Sequence, residues 1–455
     1  MARSAESVHA VIKAYDVRGV VGEQIDVAFV QDVGGAFARL VRAESATKVV
    51  IGYDMRASSP ELARAFADGV TAQGLDVVLI GLASTDQLYF ASGLFDCPGA
   101  MFTASHNPAK YNGIKLCRAG AKPVGQETGL AAIAAEVVDG VPAYDGAAGE
   151  VSEEDVLEQY ASFVRGLVNL SGLRPLTVAV DAGNGMGGHT VPAVFEPMPV
   201  KLQPLYFELD GTFPNHEANP LDPANLVDLQ RYVRETGADI GLAFDGDADR
   251  CFVVDELGNP VSPSAVTALV AERELAKEPG ATVIHNLITS RAVPELVTEL
   301  GGHPVRTRVG HSFIKQQMAE TGAIFGGEHS AHYYFRDFWG ADSGMLAGLH
   351  VLAALGEQDR PLSELMAKYE RYAASGEINS TVSDAAERTD AVVAAFADRT
   401  SGVDRLDGVT VELQGDAWFN LRASNTEPLL RLNVEAPTTA DVDALVTEIL
   451  GIVRA

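Results

Sequence analysis

The chain has 455 residues, 47% of them hydrophobic and 21% charged, which is typical of a soluble globular protein with three or four domains. Its net charge of −28 argues against nucleic acid and anionic membranes as partners, because both require a basic face. The sequence predicts no membrane span or secretory leader, and its three cysteines fit neither a disulfide framework nor a zinc site, so we expect a cytoplasmic protein with reduced thiols.

A strand followed by a polar turn and then a helix occurs three times along the chain. The strands are predicted at residues 48–54, 177–181 and 281–286, and helices are predicted at 60–71 and 290–300. These repeats indicate three related α/β modules, each with a buried sheet covered by helices. We expect boundaries in the loop-like segments 139–150, 255–263 and 369–379.

The pattern changes after residue 379. A helix is predicted at 384–400, strands at 409–413, 418–422 and 429–435, and a final helix at 439–453. This arrangement predicts a smaller α+β module at the C-terminus.

Ser105 lies in the most informative segment, where a predicted strand at 99–102 leads into Thr-Ala-Ser-His-Asn-Pro at 103–108. A serine at the mouth of a turn, with His106 beside it and Lys115 shortly after, can act as a nucleophile or carry a covalent group. Alternatively, Ser and Asn here only satisfy the backbone of an ordinary turn.

A glycine run at 183–188 satisfies G-x-G-x-x-G after a strand, with Glu208 twenty residues further on. Taken alone, this pattern favours an NAD-dependent oxidoreductase. Prolines at 192, 197 and 199 make a following helix doubtful, so we favour a structural tight turn.

Asp245, Asp247 and Asp249 alternate in a turn directly after a predicted strand at 240–244. Three oxygen donors on one tight turn suit Mg²⁺. A calcium loop is excluded because Arg250 stands where that loop needs glycine. A solvated acidic turn is the remaining alternative.

Two further polar loops follow. Residues 326–332 combine glycines with Glu328, Ser330 and His332, which can hydrogen-bond sugar hydroxyls. Residues 422–428 place an arginine, hydroxyls and an amide between two strands, which suits a phosphate monoester. Basic side chains occur in or near these loops despite the acidic net charge: Arg18, Lys115, Arg250, His311, Lys315, Arg422 and Arg431.

Together these motifs, with the opening Ala-Tyr-Asp-Val-Arg-Gly at 14–19 and Val-Gly-His-Ser at 309–312, resemble the α-D-phosphohexomutases, and most closely their phosphomannomutase/phosphoglucomutase branch. The resemblance implies three similar mixed α/β modules and a C-terminal α+β module like the TATA-binding protein, arranged around a central cleft. The expected domains are 1–148 with the phosphoserine loop, 149–256 with the metal loop, 257–370 with the sugar loop and 371–455 with the phosphate loop.

The resemblance also implies roles for individual residues. Ser105 resembles the serine that carries the phosphoryl group, and Asp245, Asp247 and Asp249 resemble, with a phosphoryl oxygen on Ser105, the Mg²⁺ ligands. The expected catalytic side chains are Ser105, His106, Lys115, Arg250 and His311. The expected substrate-binding residues are Tyr15, Arg18, Glu328, His329, Ser330, Ala331, His332, Arg422, Ala423, Ser424, Asn425, Thr426 and Arg431.

The implied reaction is the interconversion of mannose 6-phosphate and mannose 1-phosphate through a phosphoserine and a bisphosphorylated sugar, with glucose phosphates as further substrates. Mg²⁺ is the implied cofactor and a sugar 1,6-bisphosphate the implied activator, in a monomer or homodimer. Ile288, His329 and Ala331 depart from residues common in relatives, which leaves the mannose-to-glucose preference open. A main activity on glucose phosphates, an NAD-linked oxidoreductase and a non-enzymatic sugar-phosphate-binding protein are the alternatives.

Overall fold

The structure, a computed structural model, describes residues 3–423 and 429–455. The chain divides into two compact units, one formed by Met1–Val261 with Ser330–Ser363 and the other by Ser262–His329 with Glu364–Ala455. The loop at residues 327–332 crosses one of the boundaries between them. Within the described parts of the chain, none of the helices has the length and apolar character needed to cross a membrane.

The N-terminal sheet belongs to the first unit. Its elements are α1 (Ala5–Val11), β1 (Val17–Val20), α2 (Val27–Ala43), β2 (Lys48–Tyr53), α3 (Ser59–Thr71), β3 (Asp76–Leu82), α4 (Thr85–Leu94), β4 (Gly99–Phe102), β5 (Tyr111–Arg118), β6 (Lys122–Pro123), α5 (Ala131–Asp139) and β7 (Val151–Glu153). The strand order is β1-β5-β4-β2-β3-β7, with β6 paired to β5. β5 runs antiparallel to both β1 and β4, while β2 runs parallel to β3 and β4.

The packing of this sheet explains where its loops emerge. Phe37 of α2 contacts Phe66 of α3 with ring centroids 5.8 Å apart, and Phe66 meets Phe102 of β4 at 5.6 Å. All four residues of β4 are buried. The polar segment that begins at Thr103 therefore leaves the sheet at the end of a rigid, buried strand.

The second sheet of the first unit contains the metal loop predicted from the sequence. Its elements are α6 (Leu157–Leu167), β8 (Leu176–Asp181), α7 (Gly187–Phe195), β9 (Val200–Leu205), α8 (Val227–Thr236), β10 (Ile240–Phe244), β11 (Cys251–Val254) and β12 (Pro260–Val261). The order is β12-β11-β10-β8-β9. β10 lies between parallel β8 and antiparallel β11, and all five of its residues are buried. The aspartates that follow β10 thus start from a fixed position.

The glycine run at 183–188 joins β8 to α7. A helix does form after it, with Pro192 inside, although the prolines argued against one. A β-carbon at Gly185 would collide with the backbone of Gly246, and one at Gly188 would collide with the backbone of Phe207. The chain itself fills the space beside these glycines, so they serve close backbone packing, as the structural interpretation predicts.

The next elements belong to the second unit until the chain returns to the first. They are α9 (Pro263–Lys277), β13 (Thr282–Asn286), α10 (Ala292–Glu299), β14 (His303–Thr307), α11 (His311–Thr321) and β15 (Phe325–Gly327). β13 pairs in parallel with β14 and with β15. The first unit then receives β16 (Tyr333–Phe335), β17 (Ala341–Asp342) and the buried helix α12 (Gly344–Gly356), and α13 (Leu362–Met366) leads back.

The C-terminal sheet belongs to the second unit. Its elements are β18 (Ala373–Thr381), α14 (Ala385–Ala395), β19 (Thr400–Asp404), β20 (Val409–Leu413), β21 (Trp418–Ala423), β22 (Leu429–Ala436) and α15 (Thr439–Val453). The order is β18-β22-β21-β20-β19, with every neighbouring pair antiparallel. Phe396, Phe419 and Ile449 are among the residues of its core.

The predicted fold class, three α/β modules followed by an α+β module, is confirmed. The helix predicted at 384–400 is too long, because α14 ends at Ala395 and residue 400 already begins a strand. Thr400 and Val403 are β-branched and favour the extended chain that pairs with β20. The three cysteines are buried and unbridged, as expected.

Candidate active site

Ser105 lies three residues beyond the end of the buried strand β4. Its φ is +48°, a left-handed conformation that is uncommon for serine. Its backbone N–H donates to the Thr103 hydroxyl at 2.9 Å. Its own hydroxyl donates to Oδ2 of Asp245 at 2.9 Å, although the two residues are 140 positions apart. The candidate nucleophile is therefore directed at the predicted metal loop.

The metal loop brings three buried carboxylates together. One oxygen from each of Asp245, Asp247 and Asp249 lies within 4.8 Å of the others. Oδ1 of Asp247 and Oδ1 of Asp249 are buried without a hydrogen-bond partner. Because buried carboxylate oxygens are normally satisfied, this donor set fits a divalent cation, and the cluster could hold a metal ion.

Gly246 makes the close approach of the two loops possible. A β-carbon at this position would collide with the carbonyl oxygen of Ser105. Ala248, at φ +59°, completes the tight turn that directs the aspartates to one side. A residue larger than glycine at 246 would push the serine and the carboxylates apart.

Burial and the neighbouring charges together determine the pKa values of the carboxylates in the cluster. Burial, followed by the charges of Asp249 and Asp247, raises the pKa of Asp245 to about 8, although Arg250 opposes this rise. Burial also acts to raise the pKa of Asp249, but the charges of Lys115 and His332 outweigh it and hold that pKa at about 2. The cluster therefore favours a proton or another cation at Asp245.

Lys115 supplies positive charge from β5, where it pairs with Met101 of β4. Its Nζ lies 2.7 Å from Oδ2 of Asp247 and 2.6 Å from Oδ2 of Asp249. Burial alone would lower its pKa, but the two carboxylates raise that pKa well above its usual value. Lys115 is therefore protonated in this arrangement.

Arg250 links the metal loop, at residues 245–250, to the serine loop, at residues 103–111. Its Nε donates to Oδ2 of Asp245 at 2.9 Å, and its Nη2 donates to Nδ1 of His106 at 2.7 Å. Burial, followed by the charges of Arg250 and Arg18, lowers the pKa of His106 to about 3. His106 is therefore neutral, and because guanidinium can only donate, the lone pair on Nδ1 is engaged by Arg250.

Arg18 lies against the same loop from β1. Its Nη1 donates to the Ala104 carbonyl at 3.2 Å and to Oδ1 of Asn107 at 2.6 Å, while its Nη2 contacts Asp16 at 2.5 Å. Tyr15, three residues earlier, is 38% exposed. Of the two predicted ligand contacts near the N-terminus, Arg18 therefore borders the loop that carries Ser105.

The predicted sugar loop is divided between the units. In the second unit, Oε1 of Glu328 accepts from Asn286 Nδ2 at 3.2 Å and from the Gly310 amide at 3.3 Å. His329 Nδ1 also lies 3.1 Å from Asn286 Nδ2. His311 begins α11 directly after Gly310, so it adjoins this contact.

In the first unit, the Ser330 hydroxyl lies 3.1 Å from Nδ1 of His332, whose Nε2 lies 3.8 Å from Oδ1 of Asp249. Between them, buried Ala331 has φ +65°. His332 therefore adjoins the carboxylate cluster, a contact that the sequence motif did not predict.

The C-terminal module places two arginines side by side. Arg422 of β21 and Arg431 of β22 are cross-strand partners. Both guanidinium groups approach Glu377, at 3.5 Å and 3.6 Å, and both Nε atoms are buried with no hydrogen-bond partner in the described part of the chain. Ala423 is exposed at the end of β21, and Ser424, Asn425 and Thr426 lie outside the described residues.

Three supporting residues were missed from the sequence. The Thr85 hydroxyl donates to Oδ2 of Asp247 at 2.6 Å, Asn286 holds Glu328, and Glu377 joins the two arginines. The polar residues that follow β3 and end β13 were the available signal for Thr85 and Asn286. Ile288 packs in an apolar cluster with Leu287 and Trp418.

Comparisons with known proteins agree with this geometry. Four family models match: phosphoglucomutase/phosphomannomutase alpha/beta/alpha domain I at 9–140, domain II at 158–258, domain III at 262–372, and the C-terminal domain at 377–452. A phosphomannomutase of Salmonella typhimurium is 40% identical over 433 residues, which cover 93% of this chain and 94% of that protein. A phosphomannomutase of Vibrio cholerae is 38% identical over 435 residues, with the same coverage of both.

Among solved structures, a phosphoglucomutase/phosphomannomutase family protein from Burkholderia thailandensis superposes with a TM-score of 0.88 at 34% identity, covering 98% of both chains. The chain therefore belongs to the phosphoglucomutase/phosphomannomutase family, within the α-D-phosphohexomutase superfamily.

Proposed function

We propose that this family member is a phosphomannomutase that interconverts mannose 6-phosphate and mannose 1-phosphate and also accepts glucose phosphates. The observation that carries the proposal is the Ser105 hydroxyl, which donates to Asp245 inside a cluster of three buried carboxylates. A tight turn with no chemical role does not require a serine bonded to a carboxylate 140 positions away. The names of the relatives agree with this assignment.

In the proposed reaction, Ser105 carries a phosphoryl group in the resting enzyme. The free hydroxyl of a hexose monophosphate gives up its proton and attacks that phosphorus, so that the Oγ–P bond breaks, a sugar 1,6-bisphosphate forms and Oγ of Ser105 gains a proton. The bisphosphate then turns around and its other phosphate returns to Ser105. Added sugar 1,6-bisphosphate activates the enzyme because it phosphorylates any free Ser105.

The charges around Ser105 suit this transfer. Protonated Lys115 and Arg250 can neutralise the transferring oxygens, and neutral His106 keeps the Arg250 guanidinium directed at the serine loop. We propose that Asp245, Asp247 and Asp249, with a phosphoryl oxygen on Ser105, hold Mg²⁺, which when bound supplies further charge neutralisation. Lys115 and His311 are our two candidates for the general acid and base.

Recognition is proposed to fall to other loops. Glu328, His329, Ser330, Ala331 and His332 read the sugar hydroxyls, with Glu328 as the acceptor. Arg422 and Arg431, which both approach Glu377 while Arg422 also approaches Asp407, hold the phosphate that is not transferred. Tyr15, Arg18, Ala423, Ser424, Asn425 and Thr426 complete the proposed ligand contacts.

We also propose the domain division 1–148, 149–256, 257–370 and 371–455, which the four family matches support to within nine residues. Hexose phosphates are the proposed partners, and nucleic acid and membranes are not. We propose a cytoplasmic monomer or homodimer.

A coupled assay tests the function. Mannose 1-phosphate is supplied with Mg²⁺, with and without glucose 1,6-bisphosphate, and mannose 6-phosphate is measured. We expect turnover that the bisphosphate increases. Turnover of glucose 1-phosphate at a far higher kcat/KM would make phosphoglucomutase the main activity, and absence of turnover with both sugars would refute the proposal.

A further inference from the structure

Arg56 lies buried beneath the serine loop and is used by none of the steps above. It follows β2, with only 2% of its surface exposed, and is among the largest fully buried side chains of the described residues. Its guanidinium donates to four backbone carbonyls of one loop. Nη2 reaches the carbonyls of Ser105 at 2.9 Å and Asn107 at 2.7 Å, and Nη1 reaches those of Pro108 and Tyr111, each at 3.1 Å.

The remaining donor of Arg56 is also satisfied. Nε donates to Oδ2 of Asp54 at 3.2 Å, and Oδ1 of Asp54 accepts from the Ser59 hydroxyl at 2.6 Å. The ring of Phe213 covers the guanidinium, with its centroid 5.0 Å away. All five N–H groups of the guanidinium thus have an acceptor, which a lysine ammonium with three donors cannot reproduce.

Burying an arginine raises the free energy of the folded protein unless its charge is paired and its donors are satisfied. Arg56 meets both conditions, so its contacts are a specific part of the fold. Four carbonyls between residues 105 and 111 converge on a single planar group, and that group is fixed in turn by Asp54. The loop is therefore held from its inner side, at the residue whose left-handed φ directs its hydroxyl at Asp245.

We propose that Arg56 is a positioning residue for phosphoryl transfer, which holds the backbone of the serine loop so that Ser105 stays in line with the carboxylate cluster. This inference rests on the proposed function of Ser105. Arg56 bonds to the backbone of the loop, so its loss is expected to affect the transfer step more than the binding of the sugar. A displacement of about 1 Å at a reacting group can cost on the order of 100-fold in rate.

The test compares Arg56→Lys with wild type. Steady-state assays give kcat and KM for mannose 1-phosphate, and mass spectrometry follows the phosphorylation of Ser105 by glucose 1,6-bisphosphate. We expect kcat and the phosphorylation rate to fall by about 100-fold while KM stays within about threefold. Hydrogen exchange should show faster exchange of the amides at residues 104–111 and unchanged exchange in β8 and β10.

Arg165→Lys is the matched control, because Arg165 also donates to two backbone carbonyls, those of Ala193 and Val194, in the same unit. It should leave kcat, KM and exchange in the serine loop unchanged. If Arg56→Lys does not fold, Asp54→Asn tests the positioning role instead. That variant keeps the shape of the pair while removing its charge, and we expect about a tenfold fall in kcat at constant KM, with faster exchange of the same amides.

Wild-type kcat in Arg56→Lys, or a lower kcat with wild-type exchange at residues 104–111, would overturn the positioning role. When Asp54→Asn is the deciding variant, a wild-type kcat or unchanged exchange in it would do the same. Failure of the proposed function looks different. In that case wild type itself neither turns over hexose phosphates nor becomes phosphorylated on Ser105, while the exchange comparison still reports whether Arg56 holds the loop.

Discussion

The serine and metal loops of the first unit differ in kind from the arginine pair of the second. Around Ser105 the functional side chains are buried and bonded to one another, as in the contacts of Asp245 with Ser105 and Arg250. Arg422 and Arg431 instead approach carboxylates only at 3.5 Å or more, and among the described residues their Nε atoms have no hydrogen-bond partner. Reacting groups must be positioned before the substrate arrives, whereas a recognition site must keep donors available for it.

This contrast predicts that changes in the first region reduce the rate of the chemical step and that changes in the second weaken binding. The largest effect is expected for Ser105→Ala. This variant removes the phosphoryl carrier, so kcat should fall by several orders of magnitude while thermal unfolding and far-UV circular dichroism remain close to wild type. Retention of more than about a tenth of kcat, a barrier change under ~1.4 kcal/mol, would refute the phosphoserine mechanism.

The next largest effect is expected for Asp247→Ala. Its Oδ1 is buried with no hydrogen-bond partner among the described residues, so the variant should lose a metal ligand and abolish Mg²⁺-dependent activity. Titration calorimetry with Mg²⁺ and assays across a range of Mg²⁺ concentrations measure this loss. Asp255→Asn is the control, because Asp255 is also buried in the same unit but only stabilises a turn through the Asn259 amide. Full wild-type activity in excess chelator would favour the solvated-turn interpretation.

A smaller effect that falls on binding is expected for Arg422→Ala. Loss of a charge-assisted contact should weaken binding of mannose 1-phosphate, glucose 1-phosphate and inorganic phosphate alike, by roughly 1.5–3 kcal/mol. Arg399→Ala serves as the control, since Arg399 forms an exposed ion pair with Glu448 in the same module. Wild-type affinity of Arg422→Ala for all three ligands would remove the arginine pair from the phosphate site.

Glu328→Ala should behave differently from Arg422→Ala. A carboxylate reads hydroxyl groups, so this variant should change the ratio of kcat/KM values for mannose and glucose phosphates while affinity for inorganic phosphate stays unchanged. Steady-state kinetics with both sugars measure the ratio. An unaltered ratio would assign sugar selection elsewhere.

The smallest effect concerns stability and pH. The pKa of Asp245 is raised to about 8 in the folded protein, so between its ordinary value near 4 and pH 8 the folded state binds more protons than the unfolded state. Stability in chelator should therefore fall as pH rises from 5 to 8. Melting temperatures across this range test it, and Asp245→Asn should lose this part of the slope. An equal slope in both proteins would assign the dependence to other groups.

Much of the fold follows from local pattern. Four elements have the predicted bounds: the strands at Gly99–Phe102, Ile240–Phe244 and Val409–Leu413 and the helix at Thr439–Val453. Apolar runs and amphipathic periods predict these elements because they indicate which residues will be buried. The predictions failed at the end of α14, where the chain from Thr400 onward pairs with β20 as a strand, and at α7, where Pro192 lies inside the helix.

The sequence by itself determined which residue types stand at the ends of buried strands, and so identified Ser105 and the three aspartates as candidates. Only the tertiary structure decided that Ser105 bonds to Asp245, that His106 is neutral beside Arg250, and that Arg56 lies beneath the loop. Proton affinity and positioning depend on burial and on charges brought together from distant segments. The packing of the sheets and helices sets the distances between these segments, and the local sequence pattern does not contain that packing.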